Sequence, residues 1–136
     1  MSDPATADRP AIAAAIIVAN GRVLMVRRRV SEGQLSWQFP AGEVEPGETG
    51  EIAAVRETLE EVGLTVQADK MLGERVHPNT GRTMLYFACS VVEGEAHVAD
   101  DDELDAVEWC DRAKVAEFVP YGLFGPVQEH VDSVVD

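Results

Sequence analysis

The stretch from Gly42 to Leu64, 23 residues long, constrains this chain more than any other, because it carries a helix with its own start and stop signals and a crowd of carboxylates. Thr49 can cap the helix, Glu51 falls in the first turn, where the helix dipole favours negative charge, and Gly63 is placed to end it in the left-handed conformation. At about 100° per residue, Ile52, Val55, Leu59 and Val62 share one face, and Glu57, Glu60 and Glu61 gather on the opposite side. The expectation is that the apolar stripe anchors the helix to a sheet and leaves the carboxylates aimed at a cleft or at solvent. Like charges at these spacings destabilise a bare helix by a few tenths of a kcal/mol per pair. A hard cation such as Mg²⁺, which takes oxygen ligands, would relieve that repulsion. Arg56 is suited to hold a carboxylate, such as that of Glu48, by two parallel hydrogen bonds.

The flanking sequence predicts strands around this helix. Ala11 to Ala19 is a continuous apolar run too short to cross a bilayer and suited to a buried strand. Asn20-Gly21 signals a two-residue hairpin, and Arg22 to Val30 returns as its partner. Ser31 to Ser36 reads as a loop, Trp37 to Phe39 as a short strand ended by Pro40, and Pro46-Gly47 as a turn. Beyond the helix, strands are predicted over Thr65 to Val76, with an irregularity near Ala68 to Lys70, over Thr83 to Val92, and over Ala106 to Cys110. Asp111 caps a predicted helix running to about Phe118, and Phe124 to Val135 reads as a final helix. Residues 1–10 read as a flexible tail and 11–136 as one domain, with no repeat.

Charge and cysteine content narrow the function classes. A net charge of −14 argues against a nucleic acid polymer as partner, because such partners are gripped through their phosphates. It does not exclude a small polyphosphate: unit charges about 10 Å apart in water interact by only about 0.4 kcal/mol before screening. Cys89 and Cys110 sit in apolar surroundings and read as reduced core thiols of a cytoplasmic protein. No membrane-spanning run and no signal peptide is expected.

Written with gaps, the central stretch is Gly42-x5-Glu48-x7-Arg56-Glu57-Thr58-x-Glu60-Glu61-x-Gly63-Leu64, led by Trp37-x-Phe39-Pro40-Ala41-Gly42. This pattern resembles the Nudix box of the Nudix (MutT-like) hydrolases. An adjacent Glu pair or a helix-ending glycine is commonplace alone; seven fixed positions in order carry the resemblance. Thr58 departs from it, standing where an aliphatic residue is usual, and that touches packing and not metal chemistry. Ala41 stands where glycine is frequent. The resemblance implies an α/β fold, an α/β/α sandwich with a mixed central sheet. It implies Mg²⁺ (or Mn²⁺) held by Glu57, Glu60 and Glu61, with the Ala41 carbonyl as a further ligand, and Gly42, Glu48, Arg56 and Gly63 as structural support. The implied reaction is hydrolysis of a diphosphate bond in a nucleoside diphosphate linked to another moiety. A (modified) nucleoside triphosphate giving monophosphate and pyrophosphate is favoured, and a nucleotide sugar of the ADP-ribose type is second. Homodimers are common in the family.

Outside the box the assignments stay open. Glu103, before Leu104-x-x-Val107-x-Trp109, is a candidate ligand or general base, as is Glu60 for the base; the alternative for Glu103 is a solvated acidic loop, Asp100 to Asp105. Arg27 or Arg28 could grip a phosphate, and the family's strand-end arginine falls on Arg27. Trp37 and Phe39 could stack on a base or simply pack; Tyr86 reads as core or sheet surface, and His77 before Pro78 as a turn former. Tyr121 and Phe124 could line a pocket mouth or a dimer contact. Two rivals of other classes are a non-catalytic nucleotide-sensing Nudix module, which typically loses box carboxylates that are all present here, and a general acidic Ca²⁺ binder, which lacks the regular spacing of an EF-hand loop.

Overall fold

Alternating burial on both sides of one strand organises the molecule. The computed structural model describes residues 9–30 and 35–136. Most of the expected N-terminal tail, and the first four residues of the expected Ser31–Ser36 loop, lie outside the described residues. Strand β1 (Ile12–Ala19) has Ala13, Ala15 and Ile17 in one apolar cluster and Ala14 and Ile16 in another. A strand covered on both faces reads as an unbroken apolar run, which is what the sequence carries there. Strand β2 (Arg22–Arg29) splits the same way, Leu24 and Val26 to the first cluster, Val23 and Met25 to the second. Asn20 and Gly21 join the two strands with positive φ at both residues, 53° and 73°, the conformation that a two-residue hairpin needs.

The other strands are β3 (Leu35–Gln38), β4 (Ala41–Glu43), β5 (Thr65–Val76), β6 (Thr83–Glu93) and β7 (Leu104–Cys110). Their order is β3-β2-β1-β6-β5, with β4 added on β1 and β7 on β2. The β1–β6 pair is parallel and the others are antiparallel, so the sheet is mixed. Register shifts interrupt β5 against β6, including one between Ala68 and Lys70, where irregularity was expected. Strand β4 has no counterpart among the predicted elements; it is three residues long and carries little strand propensity of its own. Residues 9 and 10 are tied to the β5–β6 hairpin: Arg9 donates to the Thr80 carbonyl at 3.2 Å and Arg82 to the Pro10 carbonyl at 2.6 Å.

Helix α1 (Gly50–Val62) covers one face, and α2 (Arg112–Phe118) and α3 (Gly125–Val134) cover the other, giving an α/β/α sandwich. Among the described residues no helix is long and apolar enough to cross a membrane. The caps are as expected: Thr49 Oγ1 accepts from Ile52 N, Asp111 accepts from Lys114 N, and Gly63 ends α1 at φ 72°. Both cysteines are buried and free, and burial pushes each thiol up to about 12.

Only half of the expected anchoring stripe of α1 meets the sheet: Val62 is buried and Val55 packs on the core. Ile52 and Leu59 are 55% and 52% exposed, whereas Ala53, Ala54, Thr58, Glu61 and Val62 are buried. The face against the sheet is made of small residues, because the helix lies too close for large ones. A Cβ on Gly50 would meet Phe87 Cζ at 2.7 Å and Leu85 Cδ1 at 2.9 Å. Thr58 fits there because its hydroxyl donates to the Ala54 carbonyl at 2.8 Å and leaves no buried polar atom unsatisfied. Of the carboxylates, Glu60 lies on the exposed side as expected, Glu57 is largely covered, and Glu61 is part of the buried face.

The C-terminal carbonyls of α1 find partners in the following segments: Leu59 O accepts from Gly63 N, Val62 O from His97 N, and Glu61 O from Ala99 N. Gly63→Ala would place a Cβ in the left-handed region and against the His97 ring. The expected loss is about 1–2 kcal/mol, read as a lower urea midpoint with helix content retained; an unchanged midpoint would show that Gly63 conformation is not what closes α1.

Candidate active site

Short strand β4 passes beneath α1, and the Glu57 side chain fills the space that a side chain at Gly42 would need. A Cβ on Gly42 would run into the Glu57 carboxylate. Gly42 has an ordinary φ; the requirement is space, not backbone strain.

Arg56 fastens α1 to the segment that precedes it. Its Nε and Nη2 donate to the two Glu48 oxygens at 2.7 and 2.8 Å, the bidentate pair expected from the sequence. Nη2 also donates to the Glu43 carbonyl at 3.1 Å, and Nη1 to Glu57 at 2.9 Å and Glu60 at 3.3 Å. Hydrogen bonds from Arg56, then from the Glu45 backbone, hold the Glu48 carboxyl down to about 2. Arg56 is held above its ordinary value by the same partners.

A second arginine closes the other side. Glu61 is 4% exposed, and Arg28 Nη2 reaches its two oxygens at 2.8 and 3.0 Å. Arg28 also donates to the Ala41 carbonyl at 3.4 Å and to Glu103 at 3.4 Å, while Ala41 N donates to Glu61 at 3.3 Å. Burial pushes the Glu61 carboxyl up to about 7, even though Arg28 and the Ala41 amide pull it down. Glu57 is raised for the same first reason, with Arg56 opposing. Both carboxylates are thus held where a positive charge stabilises them strongly.

The two candidate strand-end arginines, Arg27 and Arg28, go to different partners. Arg27 makes a bidentate pair with Asp105, at 2.7 and 3.0 Å, and lies over the Trp37 ring at 5.6 Å. Neighbouring strand residues point to opposite faces. Leu24 and Val26 face α1, so the same alternation carries Arg28 towards Glu61. That signal was available in the sequence. Glu103 is brought to the site through Arg28 and stays half-exposed.

The donor set suits a hard cation in kind: two carboxylates of α1 and the Ala41 carbonyl meet along one short edge strand. It is not a finished cage. Among the described residues no three acidic, histidine or cysteine side chains converge on one point. The Arg28 guanidinium is the cation against Glu61, and Glu60 is mostly exposed and turned to Arg56.

On the other side of β4 lies a cavity of about 580 Å³. Arg28, Ala41, Gly42 and Glu43 form one end, and Phe39, Trp37, Met84, Tyr86, Leu123 and Phe124 supply apolar wall. Trp37 is stacked on Phe118 with ring centroids 4.0 Å apart, so one of its faces is already covered. Tyr121 and Phe124 both line the cavity, Tyr121 being 84% exposed. Tyr86 is a wall residue as well as core, and His77 lines the hairpin end. Three arginines, Arg28, Arg75 and Arg82, line the cavity against one carboxylate residue, Glu43. Arg75 was not singled out from the sequence.

Fold and site together define an α/β/α protein that presents an acidic helix beside a cationic, aromatic cleft. Residues 8–125 match the NUDIX domain family, and the chain belongs to the Nudix hydrolases. It is 31% identical over 122 residues to a MutT-like protein of Streptomyces ambofaciens, covering 86% of this chain and 76% of that one. It is 47% identical over 64 residues to the RNA pyrophosphohydrolase of Serratia proteamaculans, covering 47% of this chain and 35% of that protein. The chain spans less than half the length of several curated relatives it matches. A Nudix hydrolase of Nitrosomonas europaea has the same fold at a TM-score of 0.73 and 23% identity, with 92% of this chain and 87% of that one aligned.

Glu48→Gln tests the Arg56 clamp through pH. A carboxyl held near 2 in the folded state stabilises above its unfolded value and loses that contribution as pH falls towards 2. The Tm gap between wild type and variant should be widest near neutral pH and close below about pH 4; a gap independent of pH would remove ionisation of Glu48 from the account.

Proposed function

We propose that the chain is a metal-dependent pyrophosphohydrolase that cleaves a diphosphate bond in a nucleoside diphosphate linked to another moiety, with a nucleoside triphosphate as substrate and monophosphate and pyrophosphate as products. The observation that carries this reading is the contact at β4: Glu57 and Glu61 press on one side of Ala41–Gly42, and an arginine-lined cavity opens on the other. A reacting phosphate at that edge would touch both.

Glu57, Glu61 and the Ala41 carbonyl would hold Mg²⁺ (or Mn²⁺), with Glu60 joining by leaving Arg56. Held there, such an ion would supply charge neutralisation at the diphosphate and acidify a coordinated water. Arg28 lines the cavity and can turn from Glu61 to a phosphate oxygen. Phe39 gives the sugar or base an apolar wall. Glu103 stands beside the Arg28 guanidinium, whereas Glu60 faces Arg56, so we assign the general base to Glu103, acting on the attacking water. The buried, unreactive thiols favour a reducing compartment such as the cytoplasm.

A panel of nucleotides with Mg²⁺, with products identified, tests the reaction. Glu103→Gln should lower kcat by about 10²–10⁴-fold, and Glu60→Gln by less; the opposite ranking would return the base to Glu60. Gly42→Ala should displace Glu57 and lower kcat about 100-fold while circular dichroism stays native-like. An active Gly42→Ala protein would sink the β4 contact as the reacting edge.

A further inference from the structure

Among the cavity arginines, Arg28 is paired with Glu61 and Arg82 with Glu43 and the Pro10 carbonyl. Arg75 has no carboxylate partner among the described residues. Its guanidinium lies over Phe124 at 5.0 Å and Tyr86 at 5.9 Å, and Nε donates to the Tyr86 hydroxyl at 3.3 Å. Two rings and one hydrogen bond hold the group in place, and both terminal nitrogens are left with no protein acceptor among the described residues. A fixed planar fork of this kind matches a ligand edge with two adjacent acceptors.

The position of Arg75 says which part of a ligand it meets. One row of paired residues crosses the sheet, Glu43 to Ile12 to Met84 to Arg75. Three strand spacings separate its ends, about 14 Å. The diphosphate in the reading above sits at the Glu43 end, so Arg75 stands at the nucleoside end. Its immediate neighbours in the wall, Met84 paired across the sheet and Tyr86 and Phe124 against the guanidinium, are apolar or aromatic. Such a wall accepts a planar neutral base far more readily than a second phosphate, whose desolvation would be costly.

We propose that Arg75 is a specificity-determining residue that selects 6-oxopurine nucleotides, guanine and hypoxanthine, by donating to O6 and N7 of the base. Arginine pairs bidentately with that edge. Adenine offers a donor at N6 in place of O6 and is disfavoured. An 8-oxoguanine base carries a hydrogen on N7 and loses one of the two bonds, so the unoxidised base is preferred. This inference rests on the proposed hydrolase activity and deepens it.

The test is kcat/KM for GTP, ITP, ATP, 7-deaza-GTP and 8-oxo-GTP with Mg²⁺, in wild type and in Arg75→Gln. Wild type should favour GTP and ITP over ATP, and over 7-deaza-GTP and 8-oxo-GTP, by about 10-fold or more. Arg75→Gln should raise KM for GTP and ITP, leave kcat within about 3-fold, and level the five substrates. Equal wild-type rates on all five, or a loss in Arg75→Gln shared equally by ATP and GTP, would overturn the assignment, the second pointing to a phosphate contact. Hydrolysis of none of them, nor of any other nucleotide, would instead remove the proposed activity. Should Arg75→Gln fold poorly, Arg75→Met keeps the length and the apolar packing against Tyr86 and Phe124 without a donor and should show the same levelling.

Discussion

The site depends on how near α1 lies to the sheet. Gly50, Ala53, Ala54 and Thr58 give that helix a face without bulk, and Gly42 removes the last obstacle on the strand below. Close approach draws Glu57 and Glu61 out of water, which raises the free energy of their charged forms. Arg56 and Arg28 offset it, each bonded to more than one partner. For Arg28 and Glu61, removing the arginine would leave the buried carboxylate stranded, which typically costs about 3–5 kcal/mol. The helix, the two arginines and the edge strand therefore form one coupled unit, in which a change to one member is felt by the others.

Much of this was legible beforehand, and the failures share a cause. The hairpin at Asn20-Gly21, the caps at Thr49, Gly63 and Asp111, and the Arg56–Glu48 pair follow from local chemistry and appear where local chemistry places them. The face of α1 was half misread because hydrophobic periodicity finds large apolar residues: Val55 and Val62 do pack inward, but the rest of the buried face is small or acidic while Ile52 and Leu59 face outward. Strand β4 escaped because its strand character comes from pairing with β1, not from Ala41-Gly42-Glu43 itself. Arg75 escaped because its meaning comes from Tyr86 and Phe124, distant in sequence, meeting at one point.

A chain of net charge −14 with a cationic cleft separates two electrostatic ranges. Charges spread over the surface act through water and are screened within about 8–10 Å at ordinary ionic strength. The cleft arginines act at contact distance and largely inside apolar walls, where the same charges interact more strongly. A small anion can therefore be held in the cleft even though a long one is turned away from the surface.

The stacked pair of Trp37 and Phe118 also makes the cleft observable. Trp37 lies in the cavity wall, parallel to Phe118 within 4° and beneath Arg27, and the second tryptophan, Trp109, packs on the opposite side of the sheet against the cluster under α1. The two indoles thus sit in separate compartments, one facing whatever enters the cleft and one facing the core. A ligand entering the cleft would perturb the emission of the first while the second served as an internal standard, so occupancy and global unfolding would leave different optical signatures in the unlabelled protein.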